Sequence, residues 1–175
     1  MRPCALLSLW ILVSGCGSKL SYPPPVQRAA VDHRLSAIID LTDGRPDQVW
    51  GSIVGGVLSA TPGADWRWVN PHPEFRFRID PSLKWELAIR LTAARAVLDH
   101  TGPQQATFRI NGEISGSATL YRDGRYEFDL PVDPGLLVKG SPQVLTMDFN
   151  PCLARGPGPP VCVLLHSAGF VQRQS

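Results

Sequence analysis

Apolar and polar side chains alternate with a period of two through much of this chain. In "KWELAIRL", residues 84–91, Trp85, Leu87, Ile89 and Leu91 fall on one side and Lys84, Glu86, Ala88 and Arg90 on the other. That spacing describes a strand with one buried face. "EFRFRID" repeats it with Phe75, Phe77 and Ile79 inward, and "RYEFDL" repeats it with Tyr126, Phe128 and Leu130 inward. Further strands are expected near residues 35–41, 52–58, 64–69, 106–111, 115–121, 143–149 and 161–171. Asn111-Gly112 and Asp123-Gly124 can supply the positive φ values of tight hairpin turns. Pro71, Pro73, Pro81, Pro103, Pro131, Pro134 and Pro142 are expected to interrupt any longer element. No long amphipathic helix is predicted; in "DPGLLVKG" Asp133 is placed to cap a single turn containing Pro134 and Leu136. About ten strands at short spacing predict an all-β fold, a two-sheet, jelly-roll-like sandwich.

The N-terminus follows a different rule. Arg2 precedes the apolar run Ala5 to Val13, and Ser14-Gly15-Cys16 comes next, giving the three regions of a secretory signal. The run is too short to span a bilayer. Val13-Ser14-Gly15-Cys16 resembles the lipobox of bacterial lipoproteins. The resemblance implies a diacylglyceryl group on the Cys16 thiol, cleavage after Gly15 and acylation of the new amino terminus. More than one acyl chain makes such an anchor stable. Gly17 stands where the diderm sorting pattern has an Asp for inner-membrane retention, so release to an outer membrane is implied where the cell has two. The alternative is an ordinary signal peptide with an incidental cysteine. The expected organisation is a signal over residues 1–15, a lipidated end and tether over 16–33, and the sandwich over 34–175. Pro23-Pro24-Pro25 suits the tether because polyproline is extended and stiff.

With 17 Lys plus Arg against 15 Asp plus Glu and no basic block, a nucleic-acid partner is not expected. Cys4 leaves with the signal and Cys16 takes lipid, so Cys152 and Cys162 remain for an oxidising compartment and are expected to form a disulfide around "CLARGPGPPVC". A two-cysteine metal site is the weaker alternative, since no His or Cys lies at zinc spacing. No metal and no cofactor are expected.

Chemistry-bearing residues are scattered. His33, His72, His100 and His166 have no ligand spacing, and His166-Ser167 lacks the Gly-x-Ser-x-Gly elbow of a hydrolase. The carboxylates Asp80, Glu86, Asp99, Glu113, Asp123 and Asp148 mark no pair suited to glycosidase work. No catalytic residue is therefore assigned. Among the tryptophans, Trp85 belongs to an inward row, and Trp66 and Trp68 share a face opposite Arg67 that is read as core. Trp50, after "DGRPDQ" and beside Gly51, is the exposed candidate. Sugar rings pack their C–H groups on aromatic faces while polar side chains bond the hydroxyls. Trp50 with His72, Arg76 and Arg78 is thus the candidate ligand site.

The order "WRW", "PEFRFRI", "TGPQQATFRINGEISGSATLYRDGRYEFDLPV" and "VLLHSAGF" resembles a sandwich domain of bacterial lipoproteins, also attached to some envelope glycosyltransferases. In layout that domain is similar to the galactose-binding-like jelly rolls of carbohydrate-binding modules. The resemblance spans roughly residues 23–170 and rests on framework positions, so it implies a fold and brings no catalytic residues. Related chains have an acidic, glycine-containing loop before the last strand, where this one has the Cys152 to Cys162 ring. The expected function is a non-catalytic, membrane-anchored envelope lipoprotein that binds a glycan or an envelope protein. The alternative is a structural or assembly lipoprotein with no small-molecule ligand.

Overall fold

The computed structural model describes residues 36–41, 51–58 and 63–173. The expected signal and tether, with Cys16, and Trp50 lie outside the described residues. The strands are β1 (Ser36–Asp40), β2 (Gly51–Val57), β3 (Arg67–Phe77), β4 (Trp85–Ala93), β5 (Gln104–Ile110), β6 (Glu113–Leu120), β7 (Gly124–Pro131), β8 (Gln143–Asn150), β9 (Leu153–Arg155), β10 (Gly158–Val161) and β11 (Leu164–Gln172). Among the described residues one α-helix, α1 (Arg95–Thr101), joins β4 to β5.

Pairing runs continuously as β6-β5-β8-β3-β11-β4-β7, with β2 added on β3 and β1 on β11. The ladder turns a corner where the start of β3 meets the start of β11, Trp68 opposite Leu164 and Arg67 opposite Leu165. Strands β2, β3, β8, β5 and β6 thereby form one layer, and β1, β11, β4 and β7 the other. Cross-layer contacts show the closure. Phe77 of β3 meets Phe170 of β11 edge-on at 5.2 Å, and Phe108 of β5 meets Phe128 of β7 at 5.1 Å. At the open side β6 lies over β7 so closely that a Cβ on Gly116 would come within 2.6 Å of Leu130 Cδ1. The all-β sandwich expected from alternation is the observed architecture.

The core is what the alternating rows predict: Phe75, Phe77, Leu87, Ile89, Leu91, Phe108, Ile110, Leu145, Met147 and Phe170 are fully buried. Tyr126, Phe128 and Leu130 also point inward but are half-buried, because β7 is an edge strand. Asn111 and Gly112, at φ of 53° and 90°, make the two-residue turn between Ile110 and Glu113. Asp133 Oδ1 accepts from Gly135 N at 2.9 Å and caps the 3-10 turn Pro134–Leu136. Buried Gln143 fastens this loop, accepting from Val138 N and Asn111 Nδ2 and donating to the Val138 and Ser141 carbonyls.

Three expectations change. Asp123-Gly124 is not a hairpin turn: β7 pairs with β4 and β6 with β5, so residues 121–123 carry the chain from one layer to the other. The helix α1 was not expected; it has seven residues and no side-chain cap at Ala94, and buried Val97 anchors it. Finally, β3 runs through Pro71 and Pro73. Its pairing with β2 jumps from Glu74 opposite Gly55 to Val69 opposite Val57, and β8 pairs only with Glu74–Phe77. Both prolines sit in that unpaired stretch, where a missing N–H leaves no ladder bond unmade.

At the upper end, where β4 finishes and β5 begins, Cys152 and Cys162 are joined as a disulfide with Cα atoms 4.6 Å apart. The β9–β10 hairpin lies within this ring. Cys162 N donates to Val69 O and Val69 N to Val163 O, tying the ring to β3.

Candidate functional site

Directly paired residues of a sheet share a face, so the registers define what the five-stranded layer turns outward. One row runs Ser52, Arg76, Val144; the next runs Glu74, Thr146, Arg109, Ile114; a third runs Asp148, Thr107, Ser117; and the uppermost holds Asn150, Gln105, Thr119. Hydroxyl, amide and charged groups dominate this face.

Its centre is a bonded cluster. His72 Nδ1 lies 3.0 Å from Asp148 Oδ1, and Arg109 Nε donates to Asp148 Oδ2 at 2.9 Å. Arg109 Nη1 also donates to Gly112 O at 3.2 Å. Burial pushes the Asp148 carboxyl up, but the bonds from Arg109 and His72 outweigh it and hold the group below the usual carboxylate range. The His72 side chain remains 75% exposed. Arg76 Nη2 stands 3.6 Å from Glu74 Oε1 with its side chain 55% exposed.

Of the residues chosen from sequence, His72 and Arg76 are thus together on one face. Arg78 lies beyond the end of β3, beside an open cavity of about 360 Å³ shared with Ile79 and Gly140 to Pro142. Trp50 is outside the described residues; its neighbour Gly51 pairs with Phe77. Asp148 and Arg109 were missed as site residues. Alternation in "ATFRI" and "LTMDF" does place Thr107, Arg109, Thr146 and Asp148 on the non-core side. What sequence lacked was the β3–β8–β5 pairing that brings them to His72.

The tryptophans need a correction. Trp85 is core, 4% exposed. Trp66 and Trp68 are half-buried and outside the core cluster, edge to face with centroids 6.0 Å apart. The reason is the corner: Trp68 pairs with Leu164 and Leu164 with Thr92, on the outward side of the four-stranded layer. Arg67 faces the other way, its Nε buried without a bonding partner. Alternation separated the two faces correctly but not which was inward.

His166 occupies a bulge of β11 and is 9% exposed. Its Nδ1 lies 2.9 Å from the Asp65 carbonyl and its Nε2 2.9 Å from Thr92 Oγ1. These bonds fasten a loop and two strands. Ser167 sits in the ladder opposite Arg90 and Asp40, not on an exposed turn. Among the described residues no three His, Cys, Asp or Glu side chains converge as metal ligands would.

No protein-family model matches the chain, and no curated protein matches it in sequence. Solved structures are similar to it at TM-scores below 0.5. An acetyl xylan esterase, Est2A, from the rumen bacterium Butyrivibrio proteoclasticus is similar at a TM-score of 0.46 and 16% identity, over 81% of this chain and 33% of that one. The chain thus spans about a third of the esterase. A family 35 carbohydrate binding module from Clostridium thermocellum is similar at 0.43 and 9% identity, over 79% of this chain and 99% of the module. TmCBM27, a carbohydrate-binding module with specific mannan recognition, is similar at 0.45 and 11% identity, over 81% and 99%. No residue of the site is carried across from them.

Proposed function

We propose that this chain is a non-catalytic, lipid-anchored envelope lipoprotein whose sandwich binds a glycan across the outer face of its five-stranded layer. One observation carries the binding reading: four registered rows of hydroxyl, amide, guanidinium and carboxylate groups share that face, with His72 and Arg76 largely exposed. Sugars are recognised by such donors and acceptors, placed where a chain can lie along them. Arg78, beyond the end of β3, is proposed to extend the surface, as is Trp50, which precedes Gly51 in the sequence. The anchor reading is supported by Val13-Ser14-Gly15-Cys16 behind the apolar run, and places the domain at the outer membrane where the cell has two.

The test of binding is an array of defined oligosaccharides probed with the full chain in detergent. Glycans should be captured, and His72→Ala and Arg76→Ala should each weaken capture at unchanged melting temperature, since both side chains are exposed. Absence of any captured glycan would leave protein contact as the use of this surface. The anchor is tested separately by Cys16→Ser, which should move the protein from the detergent to the aqueous phase of Triton X-114. A processed Ser variant still in the detergent phase would reject lipidation at this thiol.

A further inference from the structure

At the upper end of the sandwich two crossings between the layers lie side by side: α1, from β4 to β5, and residues 121–123, from β6 to β7. Between them opens a cavity of about 460 Å³ lined by Arg95, Leu98, Asp99, Pro103, Tyr121 and Asp123, among others. That volume lies within the roughly 300–1,000 Å³ of small-molecule sites.

The walls are held in place. The Tyr126 hydroxyl accepts from Arg122 N at 3.1 Å and donates to Arg122 O at 3.0 Å, which pins the 121–123 crossing. On the other side Val97 roots α1 in the interior, and Gly102 N donates to Leu98 O at its end. Arg95 Nε and Asp123 Oδ2, 3.4 Å apart, bridge the two walls. Preorganised walls lower the ordering cost of binding.

The lining has a definite chemistry. Tyr121 is 62% exposed, the one exposed aromatic among the large apolar side chains of the described residues. The Arg122 guanidinium stands 5.3 Å from its ring centroid. Arg95 and Arg122 against Asp99 and Asp123 make two positive and two negative charges, a net of zero. Neither an anion nor a cation is favoured by that balance. Four charged groups offering both donors and acceptors, beside an aromatic ring and apolar Leu98 and Pro103, suit a neutral ring carrying many hydroxyls.

Position adds the last step. Gln105 and Thr119, bonded to each other at 3.0 Å, form the uppermost row of the outer face. Pro103 lies two residues before Gln105 and Tyr121 two residues after Thr119, so the face leads into the cavity. We infer that the cavity receives the terminal sugar ring of a glycan whose remaining units lie along the outer face. This rests on the glycan-binding reading and adds the end group it recognises.

Tyr121→Ala and Asp99→Asn, both at exposed side chains, should keep the melting temperature of the full chain and weaken capture on the oligosaccharide array by roughly tenfold. Free glucose, galactose, mannose and N-acetylglucosamine serve as competitors. One of them should displace captured glycan from the wild type and lose that effect in Tyr121→Ala. Unchanged capture by both variants, with none of the four competing, would overturn the end-group inference while the face reading stands. An array with no captured glycan would overturn both. Should Tyr121→Ala lower the melting temperature, Asp99→Asn decides alone, an unchanged affinity counting against the cavity.

Discussion

Trp85→Ala is expected to lower the unfolding free energy by about 3–5 kcal/mol, the range for truncating a large buried aromatic. The ring is 4% exposed at the start of β4, within the main core cluster. Its Nε1 donates to the Asp80 carbonyl at 2.7 Å, so the indole also ties down the turn before the strand. The backbone is committed too, since Val132 N donates to Trp85 O at 3.0 Å and Gln172 pairs opposite. Collapse around a cavity here is therefore resisted on two sides. Trp85→Phe keeps much of the volume and removes one of two donors to the Asp80 carbonyl, which still accepts from Leu83 N at 3.2 Å, so the lost bond should cost about 0.5–1.5 kcal/mol. Urea unfolding followed by circular dichroism measures both. A loss below about 1 kcal/mol for the Ala variant would show that the indole is not a core element.

The elements that were legible in sequence are those fixed locally. Period-two rows such as Trp85, Leu87, Ile89 and Leu91 report a strand because burial of one face leaves no other arrangement. Asn111-Gly112 reports its turn because few residues accept two positive φ values in succession. Asp133 before Pro134 reports a cap for a similar reason, and Cys152 and Cys162, bracketing a segment rich in Pro and Gly, report a disulfide. What stayed illegible depends on pairing between distant segments. Asp123-Gly124 has the composition of a hairpin turn, and only the choice of partner for β7 makes it a crossing. Trp66 and Trp68 alternate with Arg67 as core residues would, and the corner between β3 and β11 turns them outward.

The same division holds for the site. His72 and Arg76 could be named together as candidates because they belong to one segment beside a recognisable strand. Asp148, 76 residues from His72, and Arg109, 39 residues from Asp148, join them only through the β3–β8–β5 order. The end cavity was hidden for a further reason. It is built by two connections, and one of them contains a helix too short and too weakly capped to announce itself.

Gly56→Ala should cost about 2–5 kcal/mol, and the adjacent Gly55→Ala within about 0.5 kcal/mol. Gly56 stands at φ of 79°, where an L side chain costs roughly 1–2 kcal/mol by itself. A Cβ there would also meet Pro73 Cα at 2.5 Å and the His72 carbonyl oxygen at 2.7 Å. Both are backbone atoms of the unpaired stretch of β3 and cannot turn aside as a flexible side chain would. Overpacking of this kind adds roughly 1–3 kcal/mol. At Gly55, by contrast, an added Cβ meets nothing within 4 Å. The displaced segment carries His72, whose N–H donates to Asn70 Oδ1 at 2.9 Å and whose ring reaches Asp148. The His72–Asp148 contact should therefore be lost in Gly56→Ala, visible as a changed His72 imidazole resonance, and kept in Gly55→Ala. Equal stability of the two variants would mean that β2 does not press against Pro73 and that the detour of β3 is held by something else.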